Sequence, residues 1–327
     1  MKSTVTRYLN GRICAYRVSK EPDNSIGPVE PAATYKAEPE SNEEIHKILA
    51  YDVASDLSRA VYCTRNSVVC VGQDGGVLWR YELEPHSTVL HGHVPDSVFS
   101  LDGSTVWVYR PDAMANRGDD KWVALGADTG KVLAEMSLGT VGHGGQHVLH
   151  PDGQHILLDV GEGQDGSSMF RATVAGDHFG FYKYEFEDRV LIDIAPNGWH
   201  FMTVNHVGVD VAFQLFPNGE MVLRLNLEDL GYANESDNED ELQIDYIGGF
   251  LDSDIAVVAV NGWNDGEEWR NFHRVDLRTG TVSDCFEAHS QEGYDFEPLG
   301  DGTWITSRPD GNPVRYRWPD SGEAKKL

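Results

Sequence analysis

Two stretches decide the fold: LHGHVPDSVFSLDGSTVWVY at residues 90–109 and VGHGGQHVLHPDGQHILLDV at residues 141–160. In each of them a short, mainly apolar run leads to an Asp-Gly pair, and a second run rich in β-branched, aromatic or aliphatic residues follows. Asp-Gly pairs allow the positive φ angles that tight hairpin turns require. Both stretches therefore predict two antiparallel strands joined by a tight turn.

Turns of this kind recur along the whole chain at intervals of 46, 46, 50, 45, 55 and 49 residues. The turn pairs are Asn10-Gly11, Asp56-Leu57, Asp102-Gly103, Asp152-Gly153, Asn197-Gly198, Asp252-Ser253 and Asp301-Gly302. A second hairpin follows within the unit, most clearly at residues 121–138 and 272–286. Four short strands per unit, with almost no helical periodicity, predict the blades of an all-β propeller, in which small sheets stack to bury both faces.

The sequence leaves two blade numbers open. Seven turn pairs in 327 residues favour a single propeller domain of seven blades over residues 1–327. Six blades would suffice if TVTRYL or RICAYRV supplied only the outer strand of the last blade, and the tail SGEAKKL is too polar for a predicted strand. Residues 19–45 and 228–240 are rich in Pro, Gly, Asn and acids, so long surface loops are expected there.

The charge balance disfavours two classes of partner. The chain has 53 acidic and 26 basic residues, a formal net charge of −27, and such a field repels nucleic acid and anionic membranes. No apolar run is long enough to span a bilayer and no signal peptide is recognisable, so a soluble, cytoplasmic monomer is expected. Cys14, Cys63, Cys70 and Cys285 are expected to be reduced core thiols, with a Cys63–Cys70 disulfide as the alternative.

The two stretches resemble WD40 repeats. Each has a Gly-His pair, Gly92-His93 or Gly142-His143, followed by a strand, an Asp-Gly turn and a second strand, and Ala288-His289 begins a third copy. The closing Trp-Asp dipeptide of the family is absent, although Trp79-Arg80 stands near its place. The chain is thus similar to WD40-like or quinoprotein-like propellers. This resemblance implies that His93, His143 and His289 fasten loops to neighbouring strands by side-chain hydrogen bonds.

The first functional hypothesis is a non-catalytic interaction or scaffold module. Loops on a rigid propeller can present aromatic and charged residues to a partner. Trp263 and Trp269 flank an acidic loop that contains Asp265 and Glu267. These four residues form the predicted binding tip, and the negative charge favours a basic protein or peptide partner.

The alternative hypothesis is a lyase, hydrolase or cyclase with its site in a central funnel. It depends on His91, His147 and Glu162, which would act as acid and base or hold a divalent metal. No cofactor is otherwise predicted and no metal ligands are assigned, because the acidic loops match no calcium-binding pattern. A nucleophile elbow and a phosphate-binding loop are both absent. A sugar or other small-ligand binding protein would use the same funnel without chemistry.

Overall fold

Seven antiparallel sheets are found in the described residues, and the fold is a seven-bladed, all-β propeller. The computed structural model describes residues 4–18, 30–37, 44, 47–175, 178–186, 188–232, 242–264, 267–283, 285–290, 295–317 and 325–326. They form two compact units, one within residues 3–18 and 30–187 and the other mainly within residues 188–327. No helix in the described part of the chain is long and apolar enough to cross a membrane.

The N-terminal unit contains the first four blades, each an antiparallel meander in which every strand pairs with its neighbours along the chain. The first blade is β1 (Thr4–Leu9), β2 (Arg12–Arg17) and β3 (Ala33–Lys36). The second is β4 (Ala50–Val53), β5 (Arg59–Cys63), β6 (Ser67–Gly72) and β7 (Val77–Glu82). The third is β8 (Asp96–Phe99), β9 (Thr105–Arg110), β10 (Lys121–Gly126) and β11 (Val132–Ser137). The fourth is β12 (Gly144–Leu149), β13 (His155–Gly161), β14 (Ser167–Ala175) and β15 (His178–Lys183), with a single-turn 3-10 helix at Gly163–Asp165.

The C-terminal unit contains the other three blades, with the same strand order. The fifth blade is β16 (Arg189–Ile194), β17 (His200–Asn205), β18 (Asp210–Leu215) and β19 (Glu220–Asn226). The sixth is β20 (Leu242–Phe250), β21 (Ile255–Asn264), β22 (Glu267–Asp276) and β23 (Thr281–Val282). The seventh is β24 (Glu297–Pro298), β25 (Thr303–Ser307), β26 (Pro313–Arg317) and β27 (Lys325–Lys326).

Seven blades are confirmed, and the six-blade alternative is wrong because β1 and β2 form a sheet of their own with β3. Two expectations for irregular segments are corrected. Ala33–Lys36, inside the expected loop 19–45, form β3, and Lys325–Lys326 of the polar tail form β27. An edge strand is held by backbone hydrogen bonds, so a polar segment can extend a sheet. Of the expected loop 228–240, residues 228–231 form a turn and residues 233–240 lie outside the described residues.

The core of each unit lies between consecutive blades. All six residues of β6 and all six of β9 are buried, whereas none in the fourth strand β11 is buried. Apolar side chains of the second and third blades form one cluster that includes Val61, Cys63, Phe99 and Val108. Because both faces of a blade are covered by neighbours in this way, its central strands consist of nearly continuous apolar runs.

Carboxylates on the first strands connect neighbouring blades. Oδ2 of Asp52 on β4 accepts the N–H of Phe99 on β8 at 2.8 Å. Oδ2 of Asp193 on β16 accepts the N–H of Phe250 on β20 at the same distance. First strands of adjacent blades belong to separate sheets, so a partly or fully buried N–H at this boundary requires a side-chain acceptor. Burial raises the pKa of Asp52 to about 7, although the hydrogen bond from Phe99 opposes this shift.

The cysteines are free thiols, with no disulfide between Cys63 and Cys70. Cys14, Cys63 and Cys70 are buried. Cys285 is exposed, so the expectation of a core position is wrong for this residue. It follows β23, outside the apolar clusters that fill the spaces between blades.

Candidate functional site

His147 on β12 is locked inside the N-terminal unit, with a side chain only 1% exposed. Its Nδ1 lies 2.7 Å from Oδ2 of Asp96 on β8, and the indole N–H of Trp122 on β10 donates to its Nε2 at 2.9 Å. Since Nε2 accepts a hydrogen bond, it carries no proton, and the proton of the neutral ring lies on Nδ1, which donates to Asp96. Both ring nitrogens therefore serve to join the third and fourth blades.

Glu162, directly after β13, is also engaged within the fold. Its Oε1 accepts the hydroxyl of Ser168 at 2.7 Å, and its Oε2 accepts the N–H of Val141 at 3.1 Å. In the β12–β13 register, His147 lies opposite Leu158. Four strand positions separate Leu158 from Glu162, about 13 Å at the rise of an extended chain. Glu162 therefore does not form one acid–base site with His147.

His91 is exposed in the connection that precedes β8. A Cβ on the adjacent Gly92 would lie 3.7 Å from Nδ1 of His143, so this connection lies against His143. The structure thus does not bring together the residues of the enzyme hypothesis, His91, His147 and Glu162. The one His, Cys, Asp and Glu group with metal-binding spacing in the described residues contains none of them.

The histidines of the Gly-His pairs differ from one another in role. His93 is fully buried. His143 is exposed and joins two blades through its backbone, because its carbonyl accepts the N–H of Val94 at 2.8 Å. His289 stacks on a tyrosine of β26 with ring centroids 4.8 Å apart. The WD40 resemblance implies a histidine side chain that forms hydrogen bonds to a neighbouring blade. In the fourth blade this histidine is His147, which contacts Asp96 and Trp122 of the third blade.

The predicted binding tip lies at the end of the β21–β22 hairpin. Trp263 is 54% exposed, and Glu267 is exposed as well. Leu242, the first residue of β20, pairs with Gly262, so the described hairpin extends beyond the start of its neighbouring strand. Asp265 lies outside the described residues. The tip therefore presents a tryptophan and a carboxylate to solvent.

Trp269 is not part of the same exposed surface. It stacks on Tyr232 with ring centroids 6.0 Å apart and packs against the core of the C-terminal unit. Trp263 pairs with Glu268 and Gly262 pairs with Trp269, which places the two tryptophans on opposite faces of the hairpin. Only Trp263 is available to a partner.

A cluster that the sequence analysis did not identify lies at the turn between β12 and β13. Nδ1 of His155 donates to Oδ2 of Asp152 at 2.6 Å, and Nδ1 of His150 lies 3.0 Å from Oδ1 of Asp152. Burial opposes the ionisation of Asp152, but hydrogen bonds from the N–H of Gln154 and from His155 outweigh it and lower the pKa of Asp152 to about 2. The sequence HPDGQH at residues 150–155 could have indicated this cluster, because a histidine stands on each side of one predicted turn.

A groove of about 330 Å³ lies beside this cluster, between the third and fourth blades. His155 lines it together with Ser104, Thr105, Trp107 and Val174. Its walls thus combine hydroxyl groups, an imidazole and apolar surface, a mixture suited to a small polar ligand.

Similar folds are found among solved structures of low sequence identity. A putative 6-phosphogluconolactonase from Bacteroides uniformis has a TM-score of 0.55 and 12% identity over 96% of this chain and 90% of that chain. Hydrazine synthase from Kuenenia stuttgartiensis has a TM-score of 0.53 and 14% identity over 85% of this chain and 75% of that chain. The β-propeller domain of Cps50 (Swd1) from Myceliophteria thermophila has a TM-score of 0.44 and 9% identity over 82% of this chain and 95% of that chain. No family model and no curated protein matches the sequence.

These features define the class of protein as a seven-bladed β-propeller. The structural similarity assigns the chain to no subfamily within that class. At identities of 14% or less, the structural similarity shows a shared fold and carries no information on activity.

Proposed function

We propose that this protein is a non-catalytic interaction module that binds a basic peptide segment through the tip of the β21–β22 hairpin. The observation that carries the proposal is the exposure of Trp263, 54%, at a tip that also presents Glu267 and Glu268. Tryptophan is strongly enriched among the residues that dominate binding energy at protein interfaces. Glu268 pairs with Trp263 and so lies on the same face of the hairpin, and an apolar ring beside a carboxylate suits a segment that contains both apolar and cationic side chains.

The charges around the tip support a cationic partner. Glu268 forms an ion pair of 3.1 Å with Arg270, whose Nε is 2.8 Å from Asp245 on the neighbouring strand β20. Glu267 makes no ion pair with any of the described residues. Its negative charge is thus available to a partner, and the overall charge of −27 increases the rate of encounter with a cationic segment.

The enzyme hypothesis has less support from the geometry. Both ring nitrogens of His147 are used within the fold, and Glu162 lies about four strand positions away. The small-ligand hypothesis has one favourable observation, the groove lined by His155 and the hydroxyls of Ser104 and Thr105. It remains the second candidate function.

A peptide-binding experiment tests the proposal. Fluorescence anisotropy with labelled lysine- and arginine-rich peptides that contain one aromatic residue should show binding that weakens with salt, and acidic peptides of equal length should not bind. Trp263→Ala should lower the affinity by at least about tenfold, and Glu267→Gln by a smaller factor. The matched control is Trp199→Ala, at a tryptophan 68% exposed in the β16–β17 turn. Unchanged affinity of the Trp263→Ala variant, or equal binding of acidic peptides, would reject the proposal.

A further inference from the structure

The β12–β13 turn brings two imidazoles and one carboxylate together. His150 and His155 flank the turn, and the N–H of His150 donates to the carbonyl of His155 at 3.0 Å. Side chains opposite each other on an antiparallel pair lie on the same face, and these two rings have centroids 5.7 Å apart. The carboxylate of Asp152 lies within 3.0 Å of one nitrogen of each ring. One potential ligand atom from each of the three residues lies within 4.8 Å of the others.

The turn accounts for the aspartate but not for the histidines. In the equivalent turn of the third blade, Asp102 accepts the N–H of Ser104 at 3.0 Å, as Asp152 accepts that of Gln154. There the flanking residues are Ser100 and Thr105, and they make the same backbone hydrogen bond, at 2.9 Å. Hydroxyl side chains at the flanking positions are thus compatible with the same turn. In the fourth blade the imidazoles hold the turn through their Nδ1 atoms: that of His150 accepts the N–H of Asp152 at 3.3 Å, and that of His155 lies 2.6 Å from Oδ2 of Asp152.

We propose that His150, Asp152 and His155 bind a divalent transition-metal cation of the zinc class. Imidazole nitrogen and carboxylate oxygen are ligands that Zn²⁺ accepts, and two histidines with one carboxylate occur as a three-residue set in zinc sites. Binding of the cation displaces the proton that Nδ1 of His155 donates to Asp152, and this proton is released to solvent. This site is separate from the β21–β22 tip and does not depend on the function proposed there.

The site is accessible to a cation from solvent. The side chains of Asp152 and His155 are 36% and 24% exposed, whereas that of His150 is 7% exposed and anchors the set. His155 also lines the groove between the third and fourth blades. Three protein ligands leave a tetrahedral cation one further position, which water or a small ligand from solvent can fill.

Metal titration of the full-length protein tests the proposal. The exposed thiol of Cys285 is removed first by Cys285→Ser, because thiolates also bind zinc. After dialysis against a chelator, isothermal titration with Zn²⁺ should show about one equivalent bound, and Zn²⁺ should raise the melting temperature. Asp152→Asn and His155→Gln should each lower the affinity by at least about tenfold. The asparagine variant is expected to fold, because Asn197 forms the same kind of turn and accepts the N–H of Trp199 at 2.9 Å.

The control variant is His86→Gln, at an exposed histidine whose Nε2 lies 3.0 Å from Glu82 and 3.5 Å from Glu84. His86, Glu82 and Glu84 provide one imidazole and two carboxylates. Removal of the imidazole by His86→Gln should leave the affinity of the protein for Zn²⁺ unchanged. The proposal is overturned if the protein binds no Zn²⁺ at millimolar concentration. It is equally overturned if binding survives in both Asp152→Asn and His155→Gln.

Discussion

The indole N–H of Trp122 donates a hydrogen bond to Nε2 of His147, at 2.9 Å, from the third blade to the fourth. Asp96 accepts the proton on the other ring nitrogen, so three side chains form one continuous chain of hydrogen bonds between two blades. Removal of one partner from such a chain leaves a buried polar atom without its hydrogen bond. Both ring nitrogens of the histidine that the sequence suggested as an acid or base thus form hydrogen bonds within the fold.

Replacement of Trp122 by Phe should destabilise the protein by about 2 kcal/mol, because Nε2 of His147 loses its donor and part of a buried ring is removed. Urea unfolding followed by circular dichroism measures this difference. Trp199→Phe, at an exposed position, is the control and should change the unfolding free energy by less than about 0.5 kcal/mol. Equal stability of the two variants would show that the hydrogen bond to His147 is not formed.

The two tryptophans of the β21–β22 hairpin should respond differently to truncation. Trp269→Ala removes a ring that stacks on Tyr232 and packs against the core, so we expect a loss of about 3 kcal/mol. Trp263→Ala removes an exposed ring, and its unfolding free energy should stay within about 0.5 kcal/mol of the wild type. Chemical denaturation of both variants decides the point. Comparable losses would mean that Trp263 is also packed in solution.

The blades could be predicted from sequence because their signals are local. Each Asp-Gly or Asn-Gly pair and its flanking runs lie within about 15 residues, and turn chemistry acts at that range. The short strand β3 and the outer strand β27 lack such signals. They have four and two residues, and backbone pairing with their neighbours decides their conformation.

The site residues were harder to predict because their partners are distant in sequence. His147 is 51 residues from Asp96 and 25 from Trp122, so these contacts arise only when blades pack together. His150 and His155 are close in sequence, but alternation along one strand says nothing of pairs across a turn. A register drawn through the Asp152-Gly153 turn would have placed them opposite each other.

Asp52 should make the stability of the protein depend on pH. Its pKa rises from 3.8 to about 7 on folding, so between these values the folded protein keeps a proton that the unfolded chain has lost. Stability therefore falls as pH rises through this window, and the loss is complete above about pH 7. Asp52→Asn retains an acceptor for the N–H of Phe99 but carries no charge. We expect the variant to be more stable than the wild type, by on the order of 2 kcal/mol, at pH 8.

Thermal and urea unfolding of both proteins at pH 4, 6 and 8 test this expectation. The stability difference should be small at pH 4 and should grow with pH. The control is Glu135→Gln, which removes one carboxylate that is about half exposed and so corrects for the change in net charge. A difference between the Asp52→Asn variant and the wild type that is constant with pH would contradict a raised pKa for Asp52.

Gly142 is in close contact with the third blade. A Cβ at this position would lie 2.0 Å from the hydroxyl oxygen of Tyr109 and 2.4 Å from Cγ1 of Val160, both in buried side chains. The N–H of Gly142 donates to Oδ2 of Asp120 at 2.7 Å, and the Tyr109 hydroxyl donates to the same oxygen at 3.1 Å. The glycine is therefore required by close approach, since its backbone conformation is one that other residues can adopt.

Gly142→Ala should cost about 3 kcal/mol or more in unfolding free energy, because the buried side chains of Tyr109 and Val160 must shift to admit one methyl group. Gly144→Ala is the matched control two residues away, where a Cβ would meet nothing closer than Val94 at 3.7 Å, and it should be tolerated within about 1 kcal/mol. Addition of Tyr109→Phe to the Gly142→Ala variant removes the closest clashing atom, so it should restore part of the lost stability. The contact with Val160 remains, which makes full recovery unexpected. If the alanine variants at 142 and 144 were equally stable, or if Tyr109→Phe gave no recovery, the close approach of Tyr109 to Gly142 would not exist in solution.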